Sequence, residues 1–137
     1  MIYVVSYAAT ALVFMGLDFL WLVYATPTIY RSRLGELLLA QPNLGAAAAF
    51  YLLYVGGIVY FAVVPAHASG AWTTAVVSGA LLGLVAYGTY DMTNLATLKG
   101  WSLQVSLIDM LWGVVVTASS AGLGYWLTAL WFSPGKP

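Results

Sequence analysis

Apolar residues run almost unbroken through four stretches of the chain, interrupted by short polar or Pro/Gly-containing links. Each stretch reaches the roughly 20 apolar residues that a membrane-spanning helix needs. The runs are continuous rather than alternating, which argues against barrel strands. The pattern predicts helices from Ile2 to Ala25, ending at Pro27, and from Leu44 to Val64, ending at Pro65. It predicts two more from Trp72 to Leu98, with Gly100 as the breaker, and from Leu103 to Phe132, ending before Pro134. Asn43 and Ser102 stand where N-caps help. The expected fold is all-α: an integral membrane four-helix bundle forming a single domain over 1–137. The second and third links are short, so spans two, three and four are antiparallel neighbours. The first stretch carries Asp18, lacks a basic start and is long for a signal peptide, so it reads as a span that stays in the mature protein.

The longest link contains Arg31-Ser32-Arg33-Leu34-Gly35-Glu36-Leu37-Leu38-Leu39. Leu34, Leu37 and Leu38 share one helical face with Arg31 and Arg33 off it, which predicts a short interfacial helix there, a plain polar loop being the alternative. Arg31, Arg33 and Lys99 fall in the first and third links, against Lys136 at the far end. Basic residues favour the cytoplasmic side. The expected topology is multi-pass with both termini outside. Small residues mark close helix packing: Gly79 and Gly83 in span three, Gly56 and Gly57 in span two, Gly113, Ser120 and Gly124 in span four. Trp101, Trp126 and Trp131 suit interfacial belts, and Tyr3, Tyr7, Tyr60 and Tyr125 read as packing or interface residues.

Composition agrees with that picture and narrows the chemistry. The chain is 63% hydrophobic and 6% charged, where a soluble domain carries roughly 25% charge. Net charge is zero, so no nucleic-acid partner has electrostatic support. There is no cysteine and one histidine, which excludes disulfides, thiolate nucleophiles and thiolate or His-rich metal sites. No metal site is assigned, and no cofactor motif is visible. Membrane lipids are the expected partner.

Against this apolar background the word Tyr87-Gly88-Thr89-Tyr90-Asp91-Met92-Thr93-Asn94 is conspicuous. Tyr87, Asp91 and Asn94 are spaced i, i+4, i+7 and share a face that Gly83 continues. An acid at such depth needs a partner or a purpose. Under the expected topology Asp18, Asp91 and Asp109, with Tyr51 and Tyr54, all fall in the cytoplasmic half of the bundle. His67 falls on the other side, as a solvated loop residue, so no His–Asp pair forms. Asp18-Phe19-Leu20-Trp21 and Asp109-Met110-Leu111-Trp112 are near copies on helices of opposite direction, a faint inverted repeat.

The set Asp18-x-x-Trp21, Phe50-Tyr51, Tyr87-x-Thr89-Tyr90-Asp91-x-Thr93-Asn94 and Asp109-x-x-Trp112-Gly113 resembles the bacterial "domain of unknown function 2177" family. The resemblance covers almost the whole chain, and the third-helix word is its most specific part. It implies a small four-helix protein of the bacterial inner membrane and brings no activity with it.

The residues themselves leave several roles open. Three neighbouring carboxylates in lipid cannot all carry charge cheaply, so at least one is expected to hold a proton. A protonated Asp relays a proton or donates to a ligand oxygen. Ionised Asps with Thr93 and Asn94 instead offer oxygens to a hard cation. The same polar groups also serve as hydrogen-bonding posts between helices, and Asp109 near a helix start is favoured by the dipole. The expected site is a pocket formed by Asp18, Trp21, Tyr51, Tyr54, Tyr87, Tyr90, Asp91, Asn94, Asp109 and Trp112, binding or transporting a small or lipid-like molecule. The alternatives are a lipid-modifying membrane enzyme, for which no nucleophile is visible, and an accessory subunit of a homo-oligomer or larger membrane complex.

Overall fold

The computed structural model describes residues 1–132; Pro134 and Lys136, which bear on the end of span four and on topology, lie outside the described residues. Four helices are long and apolar enough to cross a membrane: α1 (Ile2–Leu37), α2 (Leu44–Ser69), α3 (Trp72–Thr97) and α4 (Leu103–Trp131). Among the described residues there is no strand. Helix α4 packs most extensively on α3 and then on α1, while α2 closes the bundle between α1 and α3. Outward-facing Leu12, Phe19, Leu53, Leu81, Val85 and Leu111 are exposed, and Phe14, Ile58, Val63 and Val116 are fully buried. A bundle apolar inside and out is built for lipid rather than water.

Neither Pro27 nor Pro65 ends its helix. Helix α1 is regular over Ile2–Ala25, opens into a wide π turn over Thr26–Tyr30, and resumes as Arg31–Leu34 and a 3-10 turn over Gly35–Leu37. Helix α2 has the same device at Val59–Val63, just ahead of Pro65, and runs on to Ser69. A proline removes one N–H and crowds the carbonyl four residues back. A π turn widens the helix there and lets the chain continue. Hydroxyls take up carbonyls around the first π turn: Thr28 Oγ1 donates to the Tyr24 carbonyl at 2.5 Å, and Ser32 Oγ lies 3.0 Å from those of Thr28 and Ile29. The short helix expected in the first link therefore exists, but as the end of α1 rather than as a separate interfacial piece. It is tied to the start of α4, where Arg33 Nε donates to Gln104 Oε1 at 2.7 Å.

The predicted caps are present. Asn43 Oδ1 accepts from the Ala46 N–H at 3.0 Å, and Ser102 Oγ from that of Val105 at 3.2 Å. Gly70 (φ 73°) and Gly100 (φ 74°) make the left-handed turns that let the two short links reverse the chain. Close approach of α3 and α4 rests on Gly79, Gly83 and Gly113. A methyl on Gly79 would lie 2.9 Å from the Ala121 Cβ. One on Gly83 would overlap the Gly113 carbonyl, and one on Gly113 the Tyr87 ring. Gly124 is likewise covered by Thr10 of α1. The expectation fails for Gly57, which meets nothing within 4 Å, and Gly56 makes only an ordinary 3.9 Å approach to Tyr7. Small size alone does not tell which side of a helix is covered. His67 is not a loop residue either: it lies in the last turn of α2, its ring 4.4 Å from that of Tyr125.

Candidate functional site

The polar residues gather at the end of the bundle where Arg31, Arg33 and Lys99 also lie. Asp18 sits near the middle of α1, in the last two turns of its regular Ile2–Ala25 part, Asp91 towards the end of α3, and Asp109 and Tyr51 towards the starts of α4 and α2. Antiparallel packing therefore brings all four to one level. Between them lies a cavity of about 520 Å³.

Asp18 has both oxygens occupied. Tyr51 donates to Oδ2, and the Trp112 indole donates to Oδ1 at 3.0 Å. Two donors converging on one carboxyl hold it as an acceptor on both oxygens. Asp109 accepts from the Tyr30 hydroxyl at 2.7 Å, and Tyr30 in turn accepts from the Trp21 indole at 2.9 Å. The two near-copied words thus make matching contacts. Trp112 of the second word reaches Asp18 of the first directly, and Trp21 of the first reaches Asp109 of the second through Tyr30. The two indoles stack face to face between them.

Asp91 differs from both. It is fully buried, and neither of its oxygens receives a hydrogen bond from a donor group. Its polar neighbour is the carboxyl of Asp109. Two carboxyls bond one another only by sharing something positive, a proton or a cation. Local helix physics offers no substitute. Asp91 lies well before the C-terminus of α3, Asp109 lies beyond the first turn of α4, and dipole effects fade within a turn.

Of the residues expected to form the pocket, Asp18, Tyr51, Tyr87, Tyr90, Asp91, Asp109 and Trp112 line the cavity. Trp21, Tyr54 and Asn94 do not. Trp21 stands behind Trp112. Tyr54 is deeper in the core, its hydroxyl 2.7 Å from Thr117 Oγ1. Asn94 lies one turn beyond Asp91, outside the lining. Tyr87 is held by the absence of a side chain at Gly113, against which its ring packs.

The family described as "Predicted membrane protein (DUF2177)" matches residues 3–126, almost the whole chain and every residue that lines the cavity. The chain belongs to this family. No curated protein and no solved structure matches it significantly.

Several wall residues of this family member are not apparent from its motifs. Tyr30 is the most consequential. In an unbroken α-helix, Trp21 and Tyr30, nine residues apart, would fall on opposite faces. The π turn slips the helix by about one residue, roughly 100° of rotation, and so turns Tyr30 towards Trp21 and Asp109. Leu22 and Leu34 come from the same extended helix, Leu38 from the residue just after it, and Ala47 and Phe50 from α2. Trp101, expected in an interfacial belt, is a wall residue: its indole donates to Ser106 Oγ at 2.9 Å, and its ring meets Tyr90 edge-on at 5.7 Å. Trp126 and Trp131 do face outward.

Proposed function

We propose that this protein binds, and hands on, a small lipid-like molecule held in the cavity between its helices. The observation that supports the reading is the contrast within the cavity wall. Leu22, Leu34, Leu38, Phe50 and Val105 make much of it apolar, while Asp18, Asp91 and Asp109 stand on it as acids. Ligand sites commonly have this make-up and volumes of roughly 300–1,000 Å³. A purely structural polar cluster has no need of a space between its members. A lipid-modifying enzyme fits less well, because Asp18 and Asp109 are engaged by tyrosine and indole donors and no nucleophile stands beside them. We infer a bacterial inner-membrane location with both termini outside. The cavity then opens to the cytoplasmic leaflet, because Arg31, Arg33 and Lys99 flank it.

The test is retention of a bound molecule through purification in dodecyl maltoside, followed by native mass spectrometry and organic extraction. The wild-type chain is expected to carry a small amphiphile. An Ala47→Trp variant, which fills the cavity from its wall, is expected to fold and carry none. A wild-type chain that is empty, and that a total bacterial polar lipid extract fails to stabilise against heat, overturns the reading. A stoichiometric second polypeptide on an empty chain would favour the accessory-subunit role instead.

A further inference from the structure

We infer that the molecule held in the cavity carries a cationic, ammonium-type head, held at the Asp109 carboxyl with that of Asp91 directly behind it, among aromatic rings. The inference rests on the binding reading above and specifies its ligand.

Charge is the first argument. The wall contains three acids and no lysine, arginine or histidine. An anionic head there would meet like charge in a medium of low dielectric, where repulsion is strong. The second argument is Asp91 itself. It is fully buried and on the wall, no donor reaches either oxygen, and its polar neighbour is another carboxyl. A neutral hydroxyl head would supply a hydrogen bond and leave the charge problem untouched. An ammonium supplies a positive charge that two adjoining carboxyls can share. The third argument is the aromatic part of the same wall. Tyr87, Tyr90, Trp101 and Trp112 present rings to the same space. Aromatic faces attract organic cations, most strongly where water is excluded.

A bare metal ion is the weaker occupant. Among the described residues no three acids or histidines come close enough to share one. Asp18 has both oxygens engaged by Tyr51 and Trp112, which leaves the Asp91–Asp109 pair. A pair backed by rings suits a large, diffuse cation better than a small hard one.

The experiment compares three probes with the same tail: octyltrimethylammonium, octyl glucoside and octyl sulfate, each below its micellar concentration. The protein is held in dodecyl maltoside. Trp72, Trp126 and Trp131 are exposed, and replacing them with Phe leaves Trp101 and Trp112 on the cavity wall, with Trp21 stacked on Trp112, as fluorescent reporters. The expected result is a saturable fluorescence change for the ammonium probe at a concentration about tenfold below that for the glucoside, with none for the sulfate. Asp91→Asn is expected to abolish that preference. Glucoside or sulfate binding as tightly as the ammonium probe overturns the cationic head and leaves the binding reading standing. No saturable change and no thermal shift with any probe removes the binding reading itself. The ranking of probes on the reporter chain needs no substitution at Asp91, so it decides the matter even where Asp91→Asn fails to fold.

Discussion

The indole of Trp21 lies flat on that of Trp112, with ring centroids 4.6 Å apart and planes 10° from parallel. Each ring also donates its N–H, Trp112 to Asp18 and Trp21 to Tyr30. The stack therefore joins α1 to α4 by ring contact and by the Trp112–Asp18 bond, while Trp21 holds Tyr30 of its own helix, whose hydroxyl reaches Asp109 of α4. Trp112→Phe removes the indole donor on Asp18 and leaves its nearly buried Oδ1 without that partner. The expected cost is about 1–3 kcal/mol, the penalty for an unsatisfied buried acceptor. Trp21→Phe should cost less, since Tyr30 keeps its bond to Asp109. Thermal unfolding in detergent measures both, and the coupled circular-dichroism signal of stacked indoles should vanish in each variant. Equal unfolding temperatures for the two would contradict the assignment of donors.

Tyr30→Phe is expected to be more damaging than its position near the helix end suggests. It strands the Trp21 N–H and an oxygen of Asp109 together, since the one hydroxyl serves both. A loss of about 1–3 kcal/mol is expected, against almost none for Tyr60→Phe, whose ring is largely exposed. A Tyr30→Phe chain as stable as wild type would show that the segment after Pro27 is not docked on α4.

The glycines of α3 and α4 should differ sharply from those of α2. Gly113→Ala drives a methyl into the Tyr87 ring, and overpacking of this kind costs about 1–3 kcal/mol. Gly57→Ala meets nothing and should be neutral or slightly stabilising. Heat denaturation of the pair side by side gives the comparison, and Gly113→Ala should also weaken any ligand that contacts Tyr87.

Reporter fusions check the orientation. A fusion within the Arg31 to Glu36 segment is expected to report the cytoplasm, and one after the C-terminus the opposite side. A cytoplasmic signal from the C-terminal fusion would reverse the inferred leaflet of the cavity.

How far the sequence foretold this arrangement depended on the kind of signal. The four helices were legible because lipid demands long apolar runs, and nothing else in the chain competes with them. The meeting of Asp18, Asp91, Asp109 and Tyr51 was legible too, since antiparallel spans of similar length place residues by simple counting. Tyr30 was not. Proline reads as a stop, and regular helical phase puts Tyr30 on the wrong face; only the π turn corrects both. Trp101 looked like a belt residue because aromatic residues at helix ends commonly are, and its turn inward depends on Ser106. Gly57 and Gly83 look alike in sequence and differ only in what lies opposite.

The reciprocal bonds between the first and last helices also bear on how the protein is made. Asp18 enters the bilayer with α1, but Trp112, which donates to its Oδ1, arrives only with α4. A nascent chain that has inserted three helices therefore holds that carboxyl oxygen without its donor. Such an intermediate is less stable than the finished bundle by the cost of the stranded oxygen. Insertion of the final helix then becomes the step that commits the chain to its fold. A truncated product lacking α4 should be cleared by quality-control proteolysis rather than persist as a three-helix remnant.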